Sequence, residues 1–280
     1  MIEQLRITVL ADNYVTGPSL LAEHGISLLI EADGKRVLFD TGQGRVLRDN
    51  LATLGIALAP LDAIVLSHGH YDHTGGLSAA LEAASPGAIF VHPAAMAAKF
   101  VTGERPPYHS IGIPAASREA LRAVEERLVW TRAATEVVPG VWCTGEIPRT
   151  QSDGASEQRF FLDEESHEPD PLLDDQALFI KTKRGLVIAA GCAHAGVVNT
   201  LNHVCSLAGR TEIHALIGGL HLGRASHQQL EAAGNVIHRL NCQVLAPCHC
   251  TGMGAHAYFR ERFPSLVRDV GAGSSIVIEG

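Results

Sequence analysis

The chain has 280 residues, 46% of them hydrophobic and 19% charged, which suits a soluble globular protein of one large domain or two small ones. Its 22 Lys and Arg against 30 Asp and Glu give a formal net charge of −8. With no basic run, nucleic-acid binding is not expected, and no apolar stretch is long enough to span a bilayer.

The first residues, Met1-Ile2-Glu3-Gln4-Leu5-Arg6, mix charges of both signs and do not resemble a signal peptide. Six cysteines in a chain too large to need disulfide staples point to a reducing cytoplasm. In chain order, β-rich runs at 5–10, 26–31, 36–39, 63–66 and 88–92, separated by turn signals such as Asp33-Gly34, predict consecutive strands of one sheet. A helical pattern of Val46, Leu47, Leu51 and Leu54 follows Gly44, and another, with Leu77, Leu81 and Ala84, follows Gly76. From Pro93 to Asp175 the pattern is irregular, with Pro106-Pro107, Pro114, Pro148 and an acidic stretch from Asp163 to Asp170. One helix is predicted there, over 117–129. We read about 93–175 as an insertion that lids a site, within a single domain spanning 1–280. Strands return at 177–182, 185–190, 213–217 and 243–246, with helices at 196–207 and 227–240 and a last strand at 275–279.

The most informative segment runs from Ser67 to Gly76 and carries His68, His70, Asp72 and His73 directly after an apolar run. Three imidazoles and a carboxylate are ligand types for zinc or another first-row divalent ion. On extended backbone His68 and His70 point the same way. Asp72 and His73, just beyond, can serve a second ion, since two-metal sites keep their ions roughly 3.5–4 Å apart.

Three later segments place histidines at strand ends, where a rigid sheet can aim them at a shared centre: Gly191-Cys192-Ala193-His194, Gly218-Gly219-Leu220-His221 and Pro247-Cys248-His249-Cys250. His194 and His249 are the expected further ligands, while His221 suits a rim position. No second cysteine pair accompanies Cys248 and Cys250, so a separate structural zinc is not expected. Asp174 and Asp175 are adjacent and point to opposite faces of a strand, which argues against a shared catalytic dyad. Asp40, at the end of an apolar strand, suits an acceptor for a ligand imidazole N–H.

These segments, with Ala22-Glu23-His24-Gly25-Ile26-Ser27 and Leu38-Phe39-Asp40-Thr41-Gly42, resemble the metallo-β-lactamase fold superfamily nearly end to end. The likeness is greatest to a branch of metal-dependent hydrolases similar to a dihydropterin ribofuranosylaminobenzene-phosphate synthase. The resemblance implies an α/β fold, a four-layer αββα sandwich of two mixed β-sheets with metals at the sheet edge. It implies His68 and His70 with a third His on one ion, and Asp72, His73 and a late His, here His249, on the other. No Gly-His segment of the usual kind lies between His92 and Asp175, which leaves His194 for the third position. Cys192 stands where many relatives carry a bridging Asp, either as a thiolate ligand or as a small buried residue.

The expected activity is hydrolysis of an ester, phosphoester or related bond in a small molecule by two divalent ions, zinc first and Mn2+ or Fe2+ next, with Asp72 orienting the water. A homo-oligomer is compatible with this reading. His24, Arg149 and His221 are candidates for the substrate pocket, with Arg105 and Lys181 as further cations for a phosphate. The rival readings are transferase or synthase chemistry on a pterin or sugar phosphate, a di-iron oxidoreductase, and a metal-dependent binding protein. The di-iron relatives typically carry Glu where this chain has His70.

Overall fold

The computed structural model describes residues 1–102, 108–151 and 159–280; Arg105 and the Pro106-Pro107 pair lie outside them. The strands are β1 (Gln4–Ala11), β2 (Ser27–Ala32), β3 (Lys35–Phe39), β4 (Ala63–Val65), β5 (Ala88–Val91), β6 (Phe100–Val101), β7 (His109–Ser110), β8 (Leu128–Trp130), β9 (Thr135–Val138), β10 (Val141–Cys143), β11 (Phe160–Phe161), β12 (Ala177–Thr182), β13 (Gly185–Ala190), β14 (Ile213–Gly219), β15 (Val244–Cys248) and β16 (Ser275–Glu279). The helices are α1 (Leu47–Leu54), α2 (Tyr71–Thr74), α3 (Leu77–Ala83), α4 (Ala115–Ala123), α5 (Val197–Ala208), α6 (His227–Arg239) and α7 (Met253–Arg262).

Two mixed sheets face each other, one in the order β16-β1-β2-β3-β4-β5-β8 and the other β15-β14-β13-β12-β10-β9. Their strands read as near-continuous apolar runs because both faces of each sheet are covered. Alternate residues of one strand therefore enter different cores: Val37 and Phe39 of β3 join the central layer, while Leu38 packs outward. On the second sheet Val187 and Ala189 of β13 face the centre, and Leu186 and Ile188 face α5, α6 and α7. The first sheet's outer face is covered by α1, α3 and α4. The four layers are thus helix, sheet, sheet, helix, the expected αββα sandwich.

Two expectations change. The helix predicted over 117–129 ends at Ala123, and after a 3₁₀ turn the Leu128-Val129-Trp130 run pairs in parallel with β5. An edge-strand place beside Ile89, Phe90 and Val91 offers these β-prone residues ladder bonds that a longer helix would forfeit. The stretch 93–175, expected as one lid, is divided in its role. It contributes β8 to the first sheet and β9 and β10 to the second, and among the described residues of this stretch those that line the site belong to the small β11-β6-β7 sheet and its flanks.

That cover is pinned from below. Buried Lys99 donates to Asp170 at 2.7 Å and to Asp174 at 2.9 Å, and Asp174 also accepts from the Gly69 N–H at 2.7 Å. The loop between His68 and His70 is thereby tied to the segment above it. Close backbone approach fixes the other side: a Cβ on Gly76 would stand 2.1 Å from the Thr41 carbonyl oxygen.

Candidate metal centre

β1 and β3 on the first sheet, with β4 parallel to β3, and the parallel strands β13, β14 and β15 on the second end around one cavity. Their C-terminal ends deliver Asp12 and Asn13, Asp40, the Ser67–His73 segment, Cys192 and His194, His221, and His249 and Cys250. Asp40, Ala193, His221 and His249 all hold positive φ, at 58°, 52°, 51° and 48°. Such left-handed geometry costs a side-chain-bearing residue of order 1–3 kcal/mol and persists where surrounding packing imposes it. The strain gathers around the cavity.

His68, His70, His73, His194 and His249 are all buried, and their rings form one connected cluster. His68 lies 4.1 Å from His73 and 4.8 Å from His194 between ring centroids, and His73 lies 5.0 Å from His249. Hydrogen bonds settle which nitrogen each ring turns inward. Asp40 Oδ2 accepts from the Ser67 hydroxyl at 2.6 Å and stands 2.7 Å from His73 Nδ1, while Asp40 Oδ1 accepts from the Ser67 N–H at 2.7 Å. The Ser67 hydroxyl, its proton given to Asp40, accepts from His68 Nδ1 at 2.9 Å. His249 Nδ1 reaches Asn13 Oδ1 at 3.0 Å, and the His249 N–H donates to Asp12 Oδ1 at 2.8 Å. With a metal bound, the outer nitrogens of His68, His73 and His249 would carry the proton and each Nε2 would turn its lone pair inward.

Several inward atoms are left without hydrogen bonds. His70 Nε2, both ring nitrogens of His194 and His249 Nε2 are buried and make none. His68 Nε2 and His70 Nδ1 stand 2.9 Å apart and share one hydrogen bond. Unsatisfied buried polar atoms cost roughly 1–3 kcal/mol each, and a cation among them removes that cost. Among the described residues the side chains could hold an ion in four groupings, each with its ligand atoms within 4.8 Å: His68, Cys192 and His194; His73, Cys192 and His249; Cys192, His221 and Cys250; and His24, Asp72 and His249. A divalent metal fits this donor chemistry.

Electrostatics follow from burial. Burial opposes a proton on His73, but Asp72 and then Asp40 outweigh it and raise its pKa to about 9. At His70 burial dominates and lowers the pKa to about 3, keeping its ring neutral. Burial would also raise Asp72, but His73, His24 and His249 overcome it and hold the carboxyl well below the usual range. Asp72 Oδ2 lies 3.2 Å from His24 Nε2 and 3.4 Å from His249 Nε2.

The cavity, of about 210 Å³, is lined among others by His24, His70, Asp72, Arg159, Phe160 and His221. His24 and His221 therefore do reach the pocket. Arg149 does not line it: its guanidinium donates to the His194 and Pro171 carbonyls at 2.7 and 3.2 Å and so braces the loop behind His194. Lys181 is also elsewhere, over the Trp142 and Phe179 rings. Among the described residues the Lys or Arg that lines the pocket is Arg159, stacked over Phe160 at 5.2 Å, and no sequence signal singled it out. Sequence reasoning also missed Asp12, Asn13, Ser67 and Cys250; a polar pair directly after the apolar β1 was the signal available for the first two. Asp174 and Asp175 do face apart, toward Gly69 and toward the Ala195 N–H. All six cysteines are free thiols.

Two facing mixed sheets, with residue groups at their edge that could hold a divalent metal, define the class. Residues 23–200 match the family model of the metallo-beta-lactamase superfamily, and the chain belongs to that superfamily, whose fold implies divalent metal binding. It is 29% identical over 287 aligned positions, covering 98% of this chain and 97% of the relative, to a 7,8-dihydropterin-6-methyl-4-(beta-D-ribofuranosyl)-aminobenzene-5'-phosphate synthase of Methanocaldococcus jannaschii. An uncharacterized protein of the same archaeon is 32% identical, covering 89% of this chain and 91% of its own length. A solved structure described as a metal-dependent hydrolase of the beta-lactamase superfamily superposes with TM-score 0.82 at 29% identity, covering 99% of this chain and 100% of its own. No helix among the described residues is long and apolar enough to cross a membrane.

Proposed function

We propose that the protein is a dinuclear metallohydrolase acting on an ester, phosphoester or related bond of a small molecule. The observation that carries this reading is the convergence of buried, unpartnered imidazole nitrogens on one cavity. His68, His70 and His194 would hold one ion, and Asp72, His73 and His249 the other; Cys192 Sγ, grouped with His68 and His194 on one side and with His73 and His249 on the other and 3.2 Å from His73 Nε2, is available to each. When bound, such a pair supplies Lewis acidity, both to acidify a water and to polarise the bond under attack, and zinc suits imidazole and thiolate donors.

The chain's own residues do the positioning. Asp40, Ser67 and Asn13 keep the ligand rings in one tautomer. Asp72 Oδ2 faces His24 at the cavity mouth and is the acceptor that orients an attacking water. Phe160, against His70 and His194 at 5.2 and 5.4 Å, walls off bulk solvent. Arg159 offers a cation to an anionic substrate group.

Arg159, together with the synthase name of one relative, also favours a second reading, group transfer on a pterin or sugar phosphate. One experiment addresses both. The parent and His70→Ala are compared for bound metal, then assayed at matched metal content on phosphodiesters, lactones, thioesters and β-lactams. The reading expects metal loss and collapse of one hydrolytic activity in the variant. Unchanged metal content in folded His70→Ala would sink the site assignment, and full activity of verified metal-free parent would sink the mechanism.

A further inference from the structure

The cavity carries a donor set of which the dinuclear reading uses only Cys192. Cys192 Sγ, a His221 ring nitrogen and Cys250 Sγ lie within 4.8 Å of one another, and all three residues line the cavity. They follow β13, β14 and β15, which are parallel neighbours, so one rigid sheet edge sets their spacing.

Local structure is shaped around the group. The His221 N–H donates to Cys250 Sγ at 3.3 Å. Gly219 leaves the sulfur its space, because a Cβ there would stand 2.6 Å from Cys250 Sγ and 2.2 Å from the Gly191 carbonyl oxygen. His221 itself is held at φ 51°, and its ring packs 4.3 Å from that of His194. Keeping a histidine in a left-handed conformation at a pocket wall is the kind of strain that marks a functional position. Two sulfurs and an imidazole select thiophilic ions, and three protein ligands leave one coordination position open.

We propose that Cys192, His221 and Cys250 bind a thiophilic metal ion, of the Zn2+ or Cd2+ kind, at a third position beside the dinuclear centre. It rests on the dinuclear reading only in sharing the Cys192 sulfur.

Cd2+ is the probe. Reduced, metal-free parent, Cys250→Ser, His221→Asn and His70→Ala are titrated with it, bound metal being measured by equilibrium dialysis and thiolate ligation by charge-transfer absorbance. Circular dichroism checks each fold, and Asn tolerates the left-handed backbone at 221. Cys250→Ser and His221→Asn are each expected to bind one Cd2+ fewer than the parent, and Cys250→Ser to lose the Cys250 share of the absorbance. His70→Ala should lose metal yet keep that share. Parent-like stoichiometry and absorbance in folded Cys250→Ser or folded His221→Asn overturns the third position. Parent-like binding in His70→Ala, with the Cys250 share intact, overturns the dinuclear reading alone.

Discussion

Asp40 shows how much one side chain at a strand end can govern. It holds a left-handed backbone and is fully buried, and its carboxylate contacts the Ser67 N–H, the Ser67 hydroxyl and His73 Nδ1. Two candidate ligands, His68 and His73, take their tautomers from this single group. Asp40→Asn can keep one acceptor but sets an NH2 either against the Ser67 N–H or against both the Ser67 hydroxyl and His73 Nδ1. Metal affinity should fall about 10–100-fold, the usual effect of losing a ligand's outer partner, read as the chelator concentration that strips half the metal. Retention equal to the parent's would detach Asp40 from the centre. Glu23 is structural: its carboxylate accepts the N–H groups of Gln43, Gly44 and Arg45. Its neighbour His24 is the one that faces Asp72.

At the scale of elements, the Lys99 clamp joins the covering segment to the His68–His70 loop. Burial opposes charge on both partners, and their attraction outweighs it, so Lys99 is raised above 10.5 and Asp174 lowered below 3.8. The Lys99 contribution is therefore present below pH 10.5 and lost as pH rises through its folded value. The Asp174 contribution is present above pH 3.8 and lost as pH falls through its folded value. Lys99→Met strands buried carboxylates and should cost about 3–5 kcal/mol at neutral pH, measured by urea unfolding. Without its cation Asp174 resists ionisation, so the deficit against the parent should shrink on acidification; a deficit constant with pH would contradict the clamp. Gly76→Ala tests the opposite wall. The added methyl meets the Thr41 carbonyl and must push α3 from the β3 loop, at about 1–3 kcal/mol. A variant as stable as the parent would show that this approach is looser than drawn.

For the whole molecule, the proposed centre would link metal to fold because its ligands come from both sheets: His68, His70, Asp72 and His73 from the first, Cys192, His194 and His249 from the second. An ion bound across them stabilises only the assembled sandwich. With free metal about 100-fold above its dissociation constant the gain is about 2.7 kcal/mol, and at about 2–4 °C per kcal/mol chelation should lower Tm by roughly 5–10 °C. A Tm unmoved by complete metal removal would mean that the site bridges nothing.

The same joining of two sheets explains what could be read from the linear chain. Local order was legible: apolar runs became strands at 27–32, 177–182 and 185–190, because a strand buried on both faces must be apolar throughout. The His68–His73 cluster was legible because all its members sit on one short loop, and His194 and His249 because each follows such a strand. Leu128–Trp130 was misread as helix, since only the neighbouring β5 offers it ladder bonds. Arg149 and Arg159 are alike in sequence and opposite in place, one bracing carbonyls and the other lining the cavity. Asn13, Asp12 and Cys250 acquire their roles only when β1 is set beside β15's end, 237 residues from Asp12 to His249. Spacing along a chain reports which side chains share a loop; which loops share a cavity is settled by the packing of one sheet on the other.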